Sequence, residues 1–397
     1  MDVVRRLAEL AVELGANVQA GQVVRVSGEV GHLETVRAIA EEAYRRGARF
    51  VDVRLIDPYV QRARIISGPE AALGYVPGWE VERVRELAEV SGASIKVTGP
   101  TEPGLFDELD PTLVARASSG PSAEWHAIEL LVNWTVVPAA SGAWAHRLHP
   151  ELAADQALDA LWADLAYACR LDQPDPVVAW RDRLDELRLR ADRLTALGLD
   201  ALRFFGPGTD LAIGLLAGAR WERPELVTPA GIMFVPNLPT EEVYTSPDPS
   251  RVDGHVRLTR PALVGGRQIN DVVLIFEQGE LVRIDGPAEV DALREFASLD
   301  AGAARLGELA LVDTTSRLAT LERTFGVTLL DENAASHIAL GYGFPELMPP
   351  TNPHGANESS HHLDLMIGSP HINTDGIDQD GTTHPLVRDG RWTREAT

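Results

Sequence analysis

Apolar positions in the first half of the chain alternate between two periods. From Val3 to Leu14 they recur at the spacing of an amphipathic helix, which Gly15 ends. Val23 to Val26 reads as a short apolar strand. His32 to Arg46 returns to the helical period and stops at Gly47, and Phe50 to Leu55 is extended again. Val81 to Val90 predicts a further helix, followed by strands at Ser94 to Val97 and Leu130 to Val137. Strands alternating with helices predict a parallel α/β layer, and no glycine fingerprint follows any of them, so no dinucleotide is expected. From about Pro150 to Leu197 the pattern is helical, with Trp162, Leu165, Leu184 and Leu187 on apolar faces. Its last stretch, Val177 to Leu197, reads as a bridge between domains. Beyond Asp200 the texture changes to short strands at Ala201–Phe205, Leu211–Leu215, Val256–Thr259, Val272–Phe276 and Leu281–Ile284, with one helix at Pro287–Ser298. The expected fold is an α/β N-terminal domain over residues 1–190 and a strand-rich α+β C-terminal domain over residues 191–397.

Length and charge narrow this picture. A chain of 397 residues is too long for one ordinary core, consistent with two domains. The formal net charge of −23, from 36 basic and 59 acidic residues, repels phosphate backbones, so no nucleic-acid partner is expected. The N-terminus lacks the apolar core of a signal peptide and no run reaches membrane-spanning length, which predicts a cytoplasmic protein with no membrane partner. Lys96 is the only lysine and no glycine-rich loop accompanies it. The single Cys169 excludes an intrachain disulfide and a cysteine-built zinc site, and reads as a buried helix residue. Ser141 has no G-x-S-x-G frame. Gly265-Gly266-Arg267 reads as a turn between strands, and Asp380 to Gly390 as a closing hairpin.

Candidate chemistry concentrates late. Six of the eleven histidines (His337, His354, His361, His362, His371 and His384) fall in about the last sixty residues. Neutral imidazole together with carboxylate suits divalent transition metals. In His361-His362-Leu363-Asp364-Leu365-Met366-Ile367-Gly368, a strand would aim His362 and Asp364 to one face and Leu363 and Leu365 to the core. His361 would then point to the opposite face. His337 sits in a small, apolar run, where a semi-buried imidazole needs a partner. Glu308 sits in the apolar stretch Leu306–Val312, where an unpaired carboxylate is costly and calls for an arginine, a proton or a metal. Glu241 and Glu242 are framed by Pro239 and Pro247. His354, His371 and His384 read as structural.

Several co-ordered blocks carry a resemblance: Pro239-Thr240-Glu241-Glu242-Val243-Tyr244-Thr245, Gly307-Glu308-Leu309-Ala310, Asp331-Glu332-Asn333-Ala334-Ala335, His337-Ile338-Ala339-Leu340-Gly341, Asn357-x-Ser359 and His362-x-Asp364-x-Met366-Ile367-Gly368. In these, and over essentially its whole length, the chain resembles the M29 metallo-aminopeptidases, the aminopeptidase T and aminopeptidase S group. The resemblance implies metal ligands at Glu242, Glu308, His337, His362 and Asp364, a C-terminal catalytic domain and a homodimer. Glu241 is the less expected partner of its pair, because relatives can carry Gly there. The family places a tyrosine seven residues after the His337 position, where this chain has Phe344; Tyr342, two residues earlier, is the substitute.

Five such donors suffice for two divalent ions (Zn, Co, Mg or Mn), with Asp364 as a bridge. Two ions ~3.5–4 Å apart can polarise a scissile carbonyl and activate water, with Glu308 or Glu242 as the base. The expected activity is release of N-terminal amino acids from short peptides. A rival reading takes His337, His362 and Asp364 as the two-histidine, one-carboxylate triad of a non-haem Fe(II) ring-cleaving dioxygenase of the dihydroxypyridine type. Glu242 and Glu308 argue against it, since one iron needs neither. A third reading, motivated by Phe344, is a non-catalytic binding protein.

Overall fold

The computed structural model describes residues 2–118, 128, 131–265, 267–348, 352 and 354–396. It contains both helices and several sheets, an α+β protein, and divides into two compact units. The first is Met1–Asp182 with Pro224–Pro239; the second is Arg183–Arg223 with Thr240–Thr397. Among the described residues no helix is long and apolar enough to cross a membrane.

In the first unit, β1 (Val23–Glu29), β2 (Phe50–Ile56), β3 (Ala93–Thr98) and β4 (Asn133–Pro138) pair in parallel in the order β2-β1-β3-β4. The centre of the sheet is covered, with Val24, Val26, Ile95 and Val137 fully buried, whereas the edge strand β2 leaves Phe50, Val53, Leu55 and Ile56 exposed. The expectation for β4 began at Leu130, which lies outside the described residues; the strand itself starts at Asn133. Helices Pro58–Ser67 and Glu70–Leu73 were not read from the sequence, although Asp57 accepts from the Tyr59 amide at 2.9 Å as a cap and Pro58 starts the helix. Ser141 is also a cap, accepting from the Trp144 amide at 3.1 Å. The helical region from Pro150 to Leu197 is two helices, Ala154–Ala168 and Pro176–Ala196. Buried Cys169 closes the first, and Arg170 leaves the helix at φ 56°. The ribbon of β7 (Leu226–Val227) and β8 (Met233–Phe234) belongs to this unit, with the Val235 amide donating to Gly15 O and the Val136 amide to Pro236 O.

Among the described residues the second unit holds two large antiparallel sheets and a two-stranded one. The larger runs in the order β14-β13-β10-β6-β5-β18-β19-β20, from β5 (Leu199–Gly206), β6 (Thr209–Leu215), β10 (Pro247–Arg257), β13 (Val273–Glu277), β14 (Glu280–Asp285), β18 (Asn373–Asp378), β19 (Thr383–Arg388) and β20 (Arg391–Trp392). The last two form the closing hairpin. A small hairpin of β11 (Ala262–Val264) and β12 (Arg267–Ile269) spans the glycine turn. The smaller sheet runs β17-β16-β15-β9, from β9 (Val243–Thr245), β15 (Leu306–Leu311), β16 (His337–Gly341) and β17 (His362–Met366). One core joins the two: Leu202, Phe204, Leu211, Ile213, Val256 and Leu274 of the larger sheet cluster with Leu306, Leu309, Leu311, Ile338, Leu340 and Leu365 of the smaller. Each such side chain taken from water contributes about 1.5–3 kcal/mol. This shared core fixes which face of the smaller sheet is left for chemistry.

Candidate metal centre

Alternation along the smaller sheet sorts its residues strictly. Ile338, Leu340, Leu365, Leu309 and Leu311 go to the core, so His337, Ala339, Gly341, His362, Asp364, Glu308, Ala310 and Tyr244 share the other face. The register sets Asp364 beside Ala339 and Ala339 beside Glu308; His362 lies beside Gly341, and His337 beside Ala310. Among the polar side chains lie Ala339, Ala310 and Gly341, with Met366 opposite His337. A bulge lets β15 join this arrangement. The register shifts between Leu306 and Glu308, so Leu306 stays in the core while Glu308 faces the site. Gly307 is the extra residue, and a Cβ there would lie 2.1 Å from Tyr342 O.

The donors meet. His337 Nε2 lies 3.2 Å from Glu242 Oε2 and 4.0 Å from Glu308 Oε1. His362 Nε2 lies 3.1 Å from Glu308 Oε2 and 3.0 Å from Asp364 Oδ1. Two groups with donor atoms close enough to hold an ion result: Glu242, Glu308 and His337, and Glu308, His362 and Asp364. Glu308 is common to both, and Asp364 belongs to one. The first group is buried, whereas His362, with 31% of its side chain exposed, opens the second to solvent.

Both imidazoles are oriented alike. His337 Nδ1 lies 3.2 Å from Ala335 O, and His362 Nδ1 lies 3.1 Å from Tyr342 O. If Nδ1–H donates to these carbonyls, each Nε2 carries a lone pair toward the carboxylates, the orientation usual for metal-binding histidine. The donor set therefore fits divalent cations. So does the orphaned Glu242 Oε2, which is buried without a hydrogen-bond partner.

The electrostatics show the same demand for positive charge. Burial, reinforced by Glu308 and Asp364, pushes the Glu242 carboxyl up to about 7 against the pull of His337 and His362. Burial opposes protonation of His337 and His362, but the carboxylates around them win, raising His337 and holding His362 well above the ordinary imidazole value. Asp364 lies below its usual value because His362 outweighs its burial.

Sequence reasoning missed two residues here. Glu332, quoted in a block but not counted as a site residue, is 8% exposed and held well above the carboxylate range by burial and by Asp364, Glu242 and Glu308. Its position in the polar triplet Asp331-Glu332-Asn333 within an apolar stretch was the available signal. Tyr244 feels burial first, then Glu308, Glu222 and Glu242, which raise its pKa well above the phenol value. Its ring lies 5.1 Å edge-on from Phe344, whose own ring is 6.1 Å from His362. Tyr342 meets the cluster through its carbonyl, with its ring 6.0 Å from Phe344. His384 and His361 make other contacts: His384 Nε2 is 2.9 Å from Asp378 Oδ2, and the His361 ring lies 6.0 Å from Phe296.

Residues 2–392 match the family model described as thermophilic metalloprotease (M29). The chain belongs to the M29 metalloprotease family. It is 38% identical over 398 residues to aminopeptidase T of Thermus thermophilus, covering 98% of this chain and 97% of that one. It is 36% identical over 402 residues to aminopeptidase AmpS of Bacillus subtilis, covering 97% of each. The solved structure of wild-type AmpT from Thermus thermophilus superposes with a TM-score of 0.91 at 36% identity, covering 98% of this chain and 99% of that one. M29 membership implies use of divalent metal. The dioxygenase reading of His337, His362 and Asp364 finds no support, because the same cluster contains Glu242 and Glu308 and the relatives are named aminopeptidases.

Proposed function

We propose that this M29 chain is a metallo-aminopeptidase that releases N-terminal amino acids from short peptides at a two-metal centre. Glu242, Glu308 and His337 would hold one divalent ion, and Glu308, His362 and Asp364 the other; zinc, cobalt, magnesium and manganese all suit such donors. The observation that carries this reading is the pair of three-donor groups sharing Glu308. Ions bound there would supply a Lewis acid for the scissile carbonyl and a water of lowered pKa. The chain's own residues supply the rest. Glu308 or Glu242 takes up a proton and returns it to the leaving amine, and a phenol, Tyr342 or Tyr244, offers a hydrogen bond to the peptide. Exposure of His362 supports substrate approach from the side of the second group.

The catalytic domain is then the C-terminal one expected at 191–397, after the α/β domain expected at 1–190; all five donors fall in the second compact unit, Arg183–Arg223 with Thr240–Thr397. The names of the relatives support cleavage at the N-terminus of the peptide. We further propose a cytoplasmic homodimer with no nucleic-acid partner, the last from the net charge of −23. The test is hydrolysis of aminoacyl-p-nitroanilides before and after exhaustive chelation. Activity is expected to vanish and to return with Co²⁺ or Zn²⁺; full activity in chelated protein refutes the proposal.

A further inference from the structure

Glu241 and Glu242 are neighbours just before β9, yet their carboxylates go to different partners. Glu242 joins the donor cluster. Glu241, 2% exposed, turns away and accepts from Arg183 Nε at 2.7 Å. Arg183 is itself nearly covered, with 11% of its side chain exposed, and its Nη1 donates to Glu186 Oε2 at 2.8 Å. The Glu241 amide donates to Asn333 Oδ1 at 2.6 Å, while Asn333 Nδ2 donates to Leu329 O at 3.0 Å and to Glu332 Oε1 at 3.3 Å. Glu241 is therefore held twice, by side chain and by backbone, one residue from a candidate ligand.

A buried ion pair is weak grounds for stability, because desolvating two charges offsets most of their attraction. Its location is the more informative feature. A carboxylate ligand works only if its oxygen stays where the ion needs it, and Glu242 precedes β9 in a segment with no ladder of its own to fix it. We propose that the Arg183–Glu241 pair is a positioning device for the metal centre, pinning Thr240–Glu242 so that Glu242 presents its carboxylate to Glu308 and His337. This rests on the metallo-aminopeptidase reading and deepens it.

Zn²⁺ alone, titrated calorimetrically into the chelator-stripped full-length chain, tests the idea. In the double variant Arg183→Met/Glu241→Met, which keeps volume in the buried site, the Zn²⁺ held with Glu242 should bind about 10–100-fold more weakly. The ion at Glu308, His362 and Asp364 should keep its Kd, and unfolding in chelator should stay within a few degrees of wild type. Arg183→Lys should recover part of the lost affinity. A pair serving only the fold would move the melting temperature and leave both Kd values alone, and that result overturns the proposal, as does equal weakening of both ions. Should the double variant not fold, Glu241→Gln, which keeps size and an acceptor but no charge, gives the same reading: a weakened first ion supports the proposal and unchanged affinity overturns it. A wild-type chain that takes up no Zn²⁺ would refute the metal reading itself.

Discussion

Replacing Glu242 by Gln has opposite effects with and without metal. The Glu242 carboxyl is pushed up to about 7 in the folded chain from an ordinary 4.5. Below pH 4.5 it is protonated in both folded and unfolded chains, so Gln, its neutral isostere, costs little. As the pH rises from 4.5 to 7 the unfolded chain ionises first, and the stability contributed by the protonated folded form is progressively lost. A shift of 2.5 units at 1.36 kcal/mol each comes to about 3 kcal/mol. In chelator at pH 8, Glu242→Gln should therefore be more stable than wild type by roughly 6–12 °C, at about 2–4 °C per kcal/mol for a domain of this size. Zn²⁺ at 1,000 times its Kd should reverse the order, because it stabilises the folded wild-type chain by about 4.1 kcal/mol, more than the variant gains in chelator, and the variant has lost a donor. Thermal melts at half-unit pH steps from 4.5 to 8, each with chelator and with Zn²⁺, read both effects. A difference between variant and wild type that does not change with pH in chelator would refute the reasoning.

Glu308→Gln removes the donor common to both groups; metal content by elemental analysis should fall toward zero after gel filtration, and kcat/KM by more than about 100-fold, since even an outer partner of a ligand is worth 10–100-fold. Tyr244→Phe should lower kcat by up to about tenfold with Zn²⁺ affinity unchanged, the worth of one hydrogen bond, and comparison with Tyr342→Phe decides which phenol serves the peptide. Leu365→Ala, in the shared core behind Asp364, should cost about 2–5 kcal/mol in urea unfolding while the folded fraction keeps its metal stoichiometry.

The parallel sheet was legible because its buried strand centres leave valine-rich stretches that punctuation by glycine makes visible, as at Val23–Val26 before the helix that Gly47 ends. The smaller sheet was harder to read. On β16 the site face carries His337 followed by Ala339 and Gly341, two small residues on which polar and apolar alternation cannot register, so the stretch after His337 looked like an apolar run. β15 defeats a period-two reading outright, because the bulge at Gly307 sends Leu306 and Leu309 to one face and Glu308 to the other.

Of the centre, His362 and Asp364 could be paired from spacing alone, since two residues apart on one strand is a local relation. Glu308 and His337 lie on separate strands and Glu242 just before a third, and only the tertiary fold joins them; nothing between positions 242 and 337 encodes that meeting locally. Charge was the least transparent property. Adjacent glutamates 241 and 242 have identical chemistry, yet one meets an arginine at 2.7 Å and the other ends on a buried oxygen with no hydrogen-bond partner. Burial near unlike or like charge decides that difference, and it is set by tertiary packing. A run of two acids in a sequence can therefore hold a ligand and its anchor at once, with roles told apart by whether a cation of the chain or a cation from solution completes each one.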